Sequence, residues 1–363
     1  MYNSNEKALI WLTLFDFMTA KKISEFLDFF NEPKDIFSQF ESKKSKLASI
    51  LNDEHLLKME NSLDESLLKS YLSSLDEQNI ICITLVSENY PENLKDIYLP
   101  PYVLFCKGNT ELLETRCIGI VGTRVPTSYG KSVTQSFSKG LAENDLTIVS
   151  GLAMGVDKIA HETALETEGK TIAVLGGGFN HIYPAMNINL AKQISEKGLL
   201  VSEYRPSVAP QAYNFPVRNR IIAGLSMGVL ITEAGEKSGA LHTKEYALES
   251  GRDVFAVPGN ITSEKSAGTN RLIKSMQTAL VTSFKDILEF YSITPKKEKK
   301  QQKQLGFNEQ IILKCLKNEE KTFEEIGCET GLEIKILNSC LTSLQISGLI
   351  KKLPGNIYIL IRQ

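Results

Sequence analysis

The 363-residue chain is poor in metal-binding side chains: its four histidines, His55, His161, His181 and His242, are scattered, and its six cysteines contain no Cys-x-x-Cys pair. Neither set has ligand spacing, so a zinc site is not expected, and cysteines within apolar runs read as reduced core residues. No stretch approaches the ~20 apolar residues that span a bilayer. Met1–Lys7 is polar, and the apolar run after it lacks a small-residue cleavage site. These absences imply a cytoplasmic protein with no membrane partner. A net charge of −2 rules out an overall cationic coat, so a nucleic-acid partner would need a local basic groove. The dinucleotide fingerprint Gly-x-Gly-x-x-Gly is also missing, since only Gly119 and Gly122 fall near the relevant turn. No cofactor is expected.

What is present divides the chain. Residues 1–78 carry Leu9, Leu12, Phe15, Ile23, Phe26, Phe30, Ile36, Phe37 and Phe40 at helical spacing, which predicts a small helical domain. From residue 79 to 290 the pattern turns β-rich and then alternates strands with helices, which implies an α/β fold with a mostly parallel sheet covered on both faces. A charged stretch, 291–304, reads as a basic linker. The block 305–363 has three helix-like segments and two short strands about Pro354-Gly355-Asn356, the pattern of a winged helix.

Ligands of such sheets lie beyond the carboxyl ends of the strands, so the loops there carry the information. The stretch Ile118-Gly-Ile-Val-Gly-Thr-Arg124 reads as strand, turn and helix start. Gly122 and Thr123 would let the backbone approach an anion, free N–H groups at the helix start would favour it, and the fork of Arg124 suits a phosphate. The bland alternative is a tight turn with a surface arginine. Ser150-Gly151-Leu-Ala-Met-Gly-Val-Asp157, Gly176-Gly177-Gly178 and Glu233-Ala-Gly235 leading to Ser238-Gly239 repeat the glycine-rich character. Together they suggest backbone donors for a chain of phosphates. After the long irregular stretch Glu203–Asn214 comes Phe215-Pro-Val-Arg218-Asn219-Arg220, an aromatic face beside two guanidiniums. Single-stranded nucleic acid asks for that combination. Equally, Phe215 can be core, with the arginines paired to Glu203 or Glu233. Asp157 and His161 sit at i and i+4, but no nucleophile is placed beside them.

These motifs in this order, with Tyr183-Pro184 and Gly251-Arg-Asp-Val-Phe-Ala-Val-Pro-Gly259, resemble the DprA/Smf family over about residues 85–283. The resemblance implies an extended Rossmann-like protein, with a SAM-like domain in front and a winged helix behind. It also implies a non-enzymatic protein that binds single-stranded DNA during natural transformation, forms a homodimer and loads the RecA recombinase. By residue match, Arg124 would clamp a phosphate, with Gly122, Thr123, Ser150, Gly151 and Gly177 nearby. Phe215 would stack on a base, and Arg218, Asn219 and Arg220 would line or brace the groove. Leu241–Ser250 and Thr269–Val281 would serve self-association and recombinase docking.

The chain departs from relatives in three places. Met18-Thr-Ala-Lys21 replaces a glycine-containing hairpin, Gln211-Ala-Tyr-Asn214 lacks a lysine usual before the Phe-Pro run, and Met276-Gln-Thr-Ala279 replaces a Gly-Ala pair. The rival is a nucleotide-processing hydrolase like the lysine-decarboxylase-like phosphoribohydrolases. Their Pro-Gly-Gly-x-Gly-Thr run is here Thr232-Glu-Ala-Gly-Glu-Lys-Ser-Gly239. A third reading is an interaction protein acting through its tail.

Overall fold

A computed structural model describes residues 2–296, 306–317 and 319–361. The chain forms two compact units, divided after Lys296. Most of the stretch expected to be a basic linker, from residue 297 onward, lies outside the described residues.

The first unit is built on a nine-stranded sheet. Its strands are β1 (Ile81–Thr84), β2 (Val103–Gly108), β3 (Cys117–Val121), β4 (Thr147–Ser150), β5 (Thr171–Leu175), β6 (Leu199–Ser202), β7 (Gly228–Ile231), β8 (Asp253–Ala256) and β9 (Ala279–Leu280). Their order is β1-β2-β6-β5-β4-β3-β7-β8-β9. The pairs β1–β2 and β2–β6 are antiparallel, and every other pair is parallel. β3 to β7 are buried at every residue, as their near-continuous apolar sequences require when helices cover both faces. The expected α/β architecture with a large, mostly parallel sheet is therefore observed.

Topology fixes where a ligand can enter. From β3 the chain steps outward through β4, β5 and β6, then returns to place β7 on the other side of β3. The connections leaving β3 and β7 diverge, opening a crevice beyond their carboxyl ends.

Five helices precede the sheet: Ser4–Leu12, Ala20–Leu27, Asp35–Leu47, Asp53–Glu60 and Glu65–Glu77. Their aromatic core centres on Trp11, which packs edge-on against Phe15 and Phe37 at 4.9 and 5.5 Å and donates its indole N–H to the Ser62 carbonyl at 2.7 Å. The same apolar cluster continues onto Cys82 of β1 and Val103 and Phe105 of β2. The bundle thus covers the antiparallel end of the sheet, which would otherwise expose its apolar face.

One boundary differs from the sequence reading in a way that matters. The irregular stretch expected over Glu203–Asn214 gives way at Asn214 to a helix that runs to Leu225 and takes in the whole Phe215–Arg220 motif. Pro216 is accommodated because the first helical turn needs no N–H from it. Phe215 therefore sits on a rigid first turn rather than in the loop.

The second unit contains the helices Phe307–Cys315, Phe323–Thr330 and Ile334–Ile346 and three antiparallel strands, Lys321–Thr322, Ile350–Leu353 and Ile357–Leu360, the last of them central. It has its own core, including Ile312, Ile326, Leu341 and Tyr358. Among the described residues no helix is long and apolar enough to cross a membrane.

Candidate functional site

The loop after β3 is held at close quarters. A Cβ on Gly122 would lie 2.7 Å from Val156 Cγ2 and 2.8 Å from the Glu233 carbonyl oxygen, so only glycine fits the path. Thr123 donates its N–H to that carbonyl at 2.8 Å and accepts the Val156 N–H at 3.2 Å. This leaves Arg124 exposed at the crevice, outside every ion pair found among the described residues.

The helix that follows, Ser128–Glu143, corrects the expectation of an open anion-binding helix start. Thr127 caps it by accepting the Gly130 N–H at 3.1 Å. The buried carboxylate of Glu233 accepts the Thr127 N–H and hydroxyl at 2.8 and 2.6 Å. An internal anion thus already occupies the favourable end of the helix dipole. Gly130 makes room for it, since a Cβ there would stand 2.3 Å from Glu233 Oε2.

Arg218, expected to line or brace the groove, is turned inward, only 4% exposed. Its guanidinium donates to the carbonyls of Gly151, at 2.7 Å, and Val174, and its Nε donates to Asn219 Oδ1 at 3.1 Å. It ties the carboxyl ends of β4 and β5 together. Gly151 is required beneath it, because a Cβ would meet Arg218 Nη2 at 2.4 Å. Asp157 accepts the N–H groups of Gly151 and Ala153 at 3.1 and 3.3 Å. Burial pushes its carboxyl above the usual range, and the Arg218 charge and those N–H groups oppose the shift. Burial also draws Arg218 down to about 10, with Asp157 opposing, so the guanidinium stays charged at neutral pH. Ser150 is fully buried and donates its hydroxyl to the Ile120 carbonyl at 2.6 Å. Arg220 is buried as well, donating to both carboxylate oxygens of Glu203 at 2.5 Å. Ser150, expected near a bound phosphate, and Arg218 and Arg220, expected to line or brace the groove, thus brace the strand ends, with Arg220 taking the Glu203 pairing that stood as its alternative.

The glycine run after β5 is also a packing device. Cβ atoms on Gly177 and Gly178 would meet Pro210 N at 2.9 Å and the Arg205 carbonyl oxygen at 2.0 Å, so the irregular segment 203–213 lies directly on it. Phe215 packs against Gly176 and lies 5.5 Å, ring to ring, from the half-exposed Tyr183. Tyr213, just before it, is 72% exposed.

A groove of about 940 Å³ opens at the divergence of β3 and β7. Of the expected residues, Gly122, Thr123, Arg124, Phe215, Arg218 and Asn219 border it, whereas Ser150, Gly151, Gly177 and Arg220 do not. Ala212 stands on its wall where relatives were expected to carry a lysine nearby. Lys237 and Lys265, which the sequence reading did not select, line the groove and are exposed, and neither joins an ion pair among the described residues. Both follow carboxyl ends of strands, β7 and β8, and that position was the available signal. Two exposed carboxylates, Glu236 and Glu264, share the rim. No cluster of metal-ligating side chains occurs among the described residues.

Comparison with known proteins places this geometry. The family model for DNA recombination-mediator protein A matches residues 81–292. DNA processing protein DprA of Bacillus subtilis (strain 168) is 46% identical over 223 residues, which is 61% of this chain and 75% of that protein. The X-ray structure of DNA processing protein A from Streptococcus pneumoniae superposes with a TM-score of 0.62 at 36% identity, covering 75% of this chain and 98% of that one. DNA processing protein A from Helicobacter pylori, whose structure is described for a unique single-stranded DNA binding mode, gives a TM-score of 0.54 at 33% identity over 59% of this chain and 95% of that one.

The buried network behind the groove yields a pH prediction. Thr171 donates its hydroxyl to the Ile148 carbonyl at 2.8 Å, so His161 must donate its Nδ1–H to Thr171 Oγ1 at 2.7 Å, leaving Nε2 bare and without a partner among the described residues. Burial, reinforced by the Arg218 charge, pulls this imidazole down to about 3 from an ordinary 6.5. The unfolded chain therefore takes up a proton at pH 6.5 that the folded chain refuses, so the stabilisation is complete above pH 6.5 and is lost as pH falls towards 3. Between pH 7 and pH 5 that loss amounts to about 2 kcal/mol. Urea titrations at the two pH values should show the wild type losing about that much more stability than His161→Asn. Equal losses would show that His161 titrates normally in the fold.

Proposed function

The chain belongs to the DNA recombination-mediator protein A family, and from that premise we propose that its groove binds single-stranded DNA. The observation that carries this reading is the joining of three cations that form no ion pair among the described residues, Arg124, Lys237 and Lys265, to the aromatic pair Phe215 and Tyr183 at one sheet edge. Cations serve the backbone phosphates and an aromatic face takes a base, so binding should depend little on sequence and strongly on salt. The Helicobacter pylori relative, described as binding single-stranded DNA, supports the same assignment.

In this reading the bound strand is protected and handed to the RecA recombinase, and the chain works as a cytoplasmic homodimer. Support for self-association comes from the short edge strand β9, with Leu280 half-exposed and the neighbouring Met276 93% exposed. An open strand edge with apolar side chains invites a second copy. The front helices would be the SAM-like domain and the tail the winged helix. A binding role rather than hydrolysis is supported by the two groups best spaced for chemistry: Asp157 accepts loop N–H groups and His161 is buried on Thr171, so both are engaged in structure.

Two substitutions test the assignment by fluorescence anisotropy with labelled oligo(dT). Phe215→Ala should weaken binding by about 1–3 kcal/mol with the fold intact by circular dichroism; unchanged affinity would make Phe215 a packing residue for Gly176 alone. For Arg124→Ala, the salt dependence should become shallower by about one counterion. A slope identical to wild type would remove Arg124 from the phosphate contacts.

A further inference from the structure

The start of the helix Ala240–Glu249, after β7, also lies at this sheet edge, beside the groove. The start after β3 is filled by Glu233, whereas this one, like the helix starts after β4, β5 and β6, has no side-chain cap from its N-cap residue, here Gly239. Ala240 receives only a long 3.4 Å contact to Ser238 Oγ. In the loop before it, the N–H groups of Glu236, Lys237 and Gly239 donate to no protein acceptor among the described residues. A Cβ on Gly239 would meet nothing within 4 Å, so the approach to these donors is open.

A second observation is independent of the loop. Thr243, one turn into the helix, forms part of the groove lining, is 1% exposed, and its Oγ1 has no hydrogen-bond partner among the described residues. A buried hydroxyl left unpaired is costly and calls for an explanation. A ligand oxygen arriving through the groove would supply the missing partner.

We propose that Thr243, Lys237 and the amides of the 236–239 loop form a phosphate subsite separate from Arg124. A tetrahedral phosphate offers several acceptor oxygens to donors converging from hydroxyl, ammonium and backbone, and its charge complements the positive end of the helix. Glu236 and Glu264 stand exposed on the rim, while Thr243 is buried, so the carboxylates lower the net charge of the entrance without occupying the donors. The phosphate can come from the strand itself, a phosphodiester beside the base on Phe215, which rests on the function proposed above. It can also come from a free phosphate or mononucleotide, which does not.

The full chain is tested with two probes, oligo(dT) lacking terminal phosphates, followed by anisotropy, and inorganic phosphate, followed by ³¹P line broadening. Thr243→Val keeps shape and removes the hydroxyl. It should lower affinity about tenfold while leaving the melting temperature equal or higher, since Val leaves no unpaired polar atom. Loss for oligo(dT) alone assigns the site to a phosphodiester, and loss for both probes assigns it to phosphate generally. If the wild type binds phosphate in a Thr243-dependent way but no oligonucleotide, the subsite stands and the single-strand reading falls. Unchanged affinity for both probes overturns the subsite, whatever the melting temperature. Lys237→Ala, at an exposed side chain, keeps the test decisive should the valine variant fold poorly: it too must weaken one probe, and equal affinity for both overturns the proposal.

Discussion

The guanidinium of Arg218 holds the strand ends of this sheet in register with the helix that carries Phe215. A cation in the interior persists only when its donors are matched, and here the Gly151 and Val174 carbonyls and Asn219 accept them while Asp157 supplies opposing charge. Neighbouring choices follow from it. Gly151 has no side chain because the guanidinium lies where a Cβ would be. Asp157 turns its carboxylate to the loop amides of Gly151 and Ala153, and His161, a turn later, stays neutral beneath them. The residue three before Arg218, Phe215, is thereby fixed on the first turn of the same helix at the groove wall. A binding surface on a braced helix is better pre-organised than one on the irregular segment before it.

Glu233 has the opposite effect on its surroundings. By filling the start of the helix after β3 it removes a backbone anion site that such a turn would otherwise provide. What remains there for a phosphate is a side chain, Arg124. Long-range attraction at this edge therefore rests on exposed cations, Arg124, Lys237 and Lys265, set against Glu236 and Glu264 on the same rim. That balance suits a ligand held by many weak, salt-sensitive contacts, and it accounts for a nearly neutral chain having a charged groove.

Much of this was legible in the sequence. The alternation of apolar runs with helical spacing pointed to the mostly parallel sheet, and the order of glycine-rich strand ends located the edge where the groove lies. The roles of individual polar residues were less legible, for a physical reason: a charged residue is solvated unless a partner meets it, and partners come from distant parts of the chain. Thr127 and Glu233 are 106 positions apart, and Arg218 reaches a carbonyl 44 positions away. Nothing local to Ser150 marks it as buried, and the pairing of Arg220 with Glu203 stood in the sequence only as one of two readings. Lys265 lay hidden for the complementary reason, as it sits beyond the Pro258-Gly259 end of its motif and reaches the groove only because β8 ends beside β7. The start of the helix at Asn214 was obscured by Pro216, which ordinarily signals a break and here falls within the first turn.

The most direct test of the central claim is anisotropy of the full chain with labelled single-stranded and double-stranded oligonucleotides of equal length across a salt series. The account predicts marked preference for the single strand and a linear fall of log affinity with log salt, because bases must be unpaired to reach Phe215 while phosphates meet the cations around it. Equal affinity for the two forms, or no binding at low salt, would contradict it.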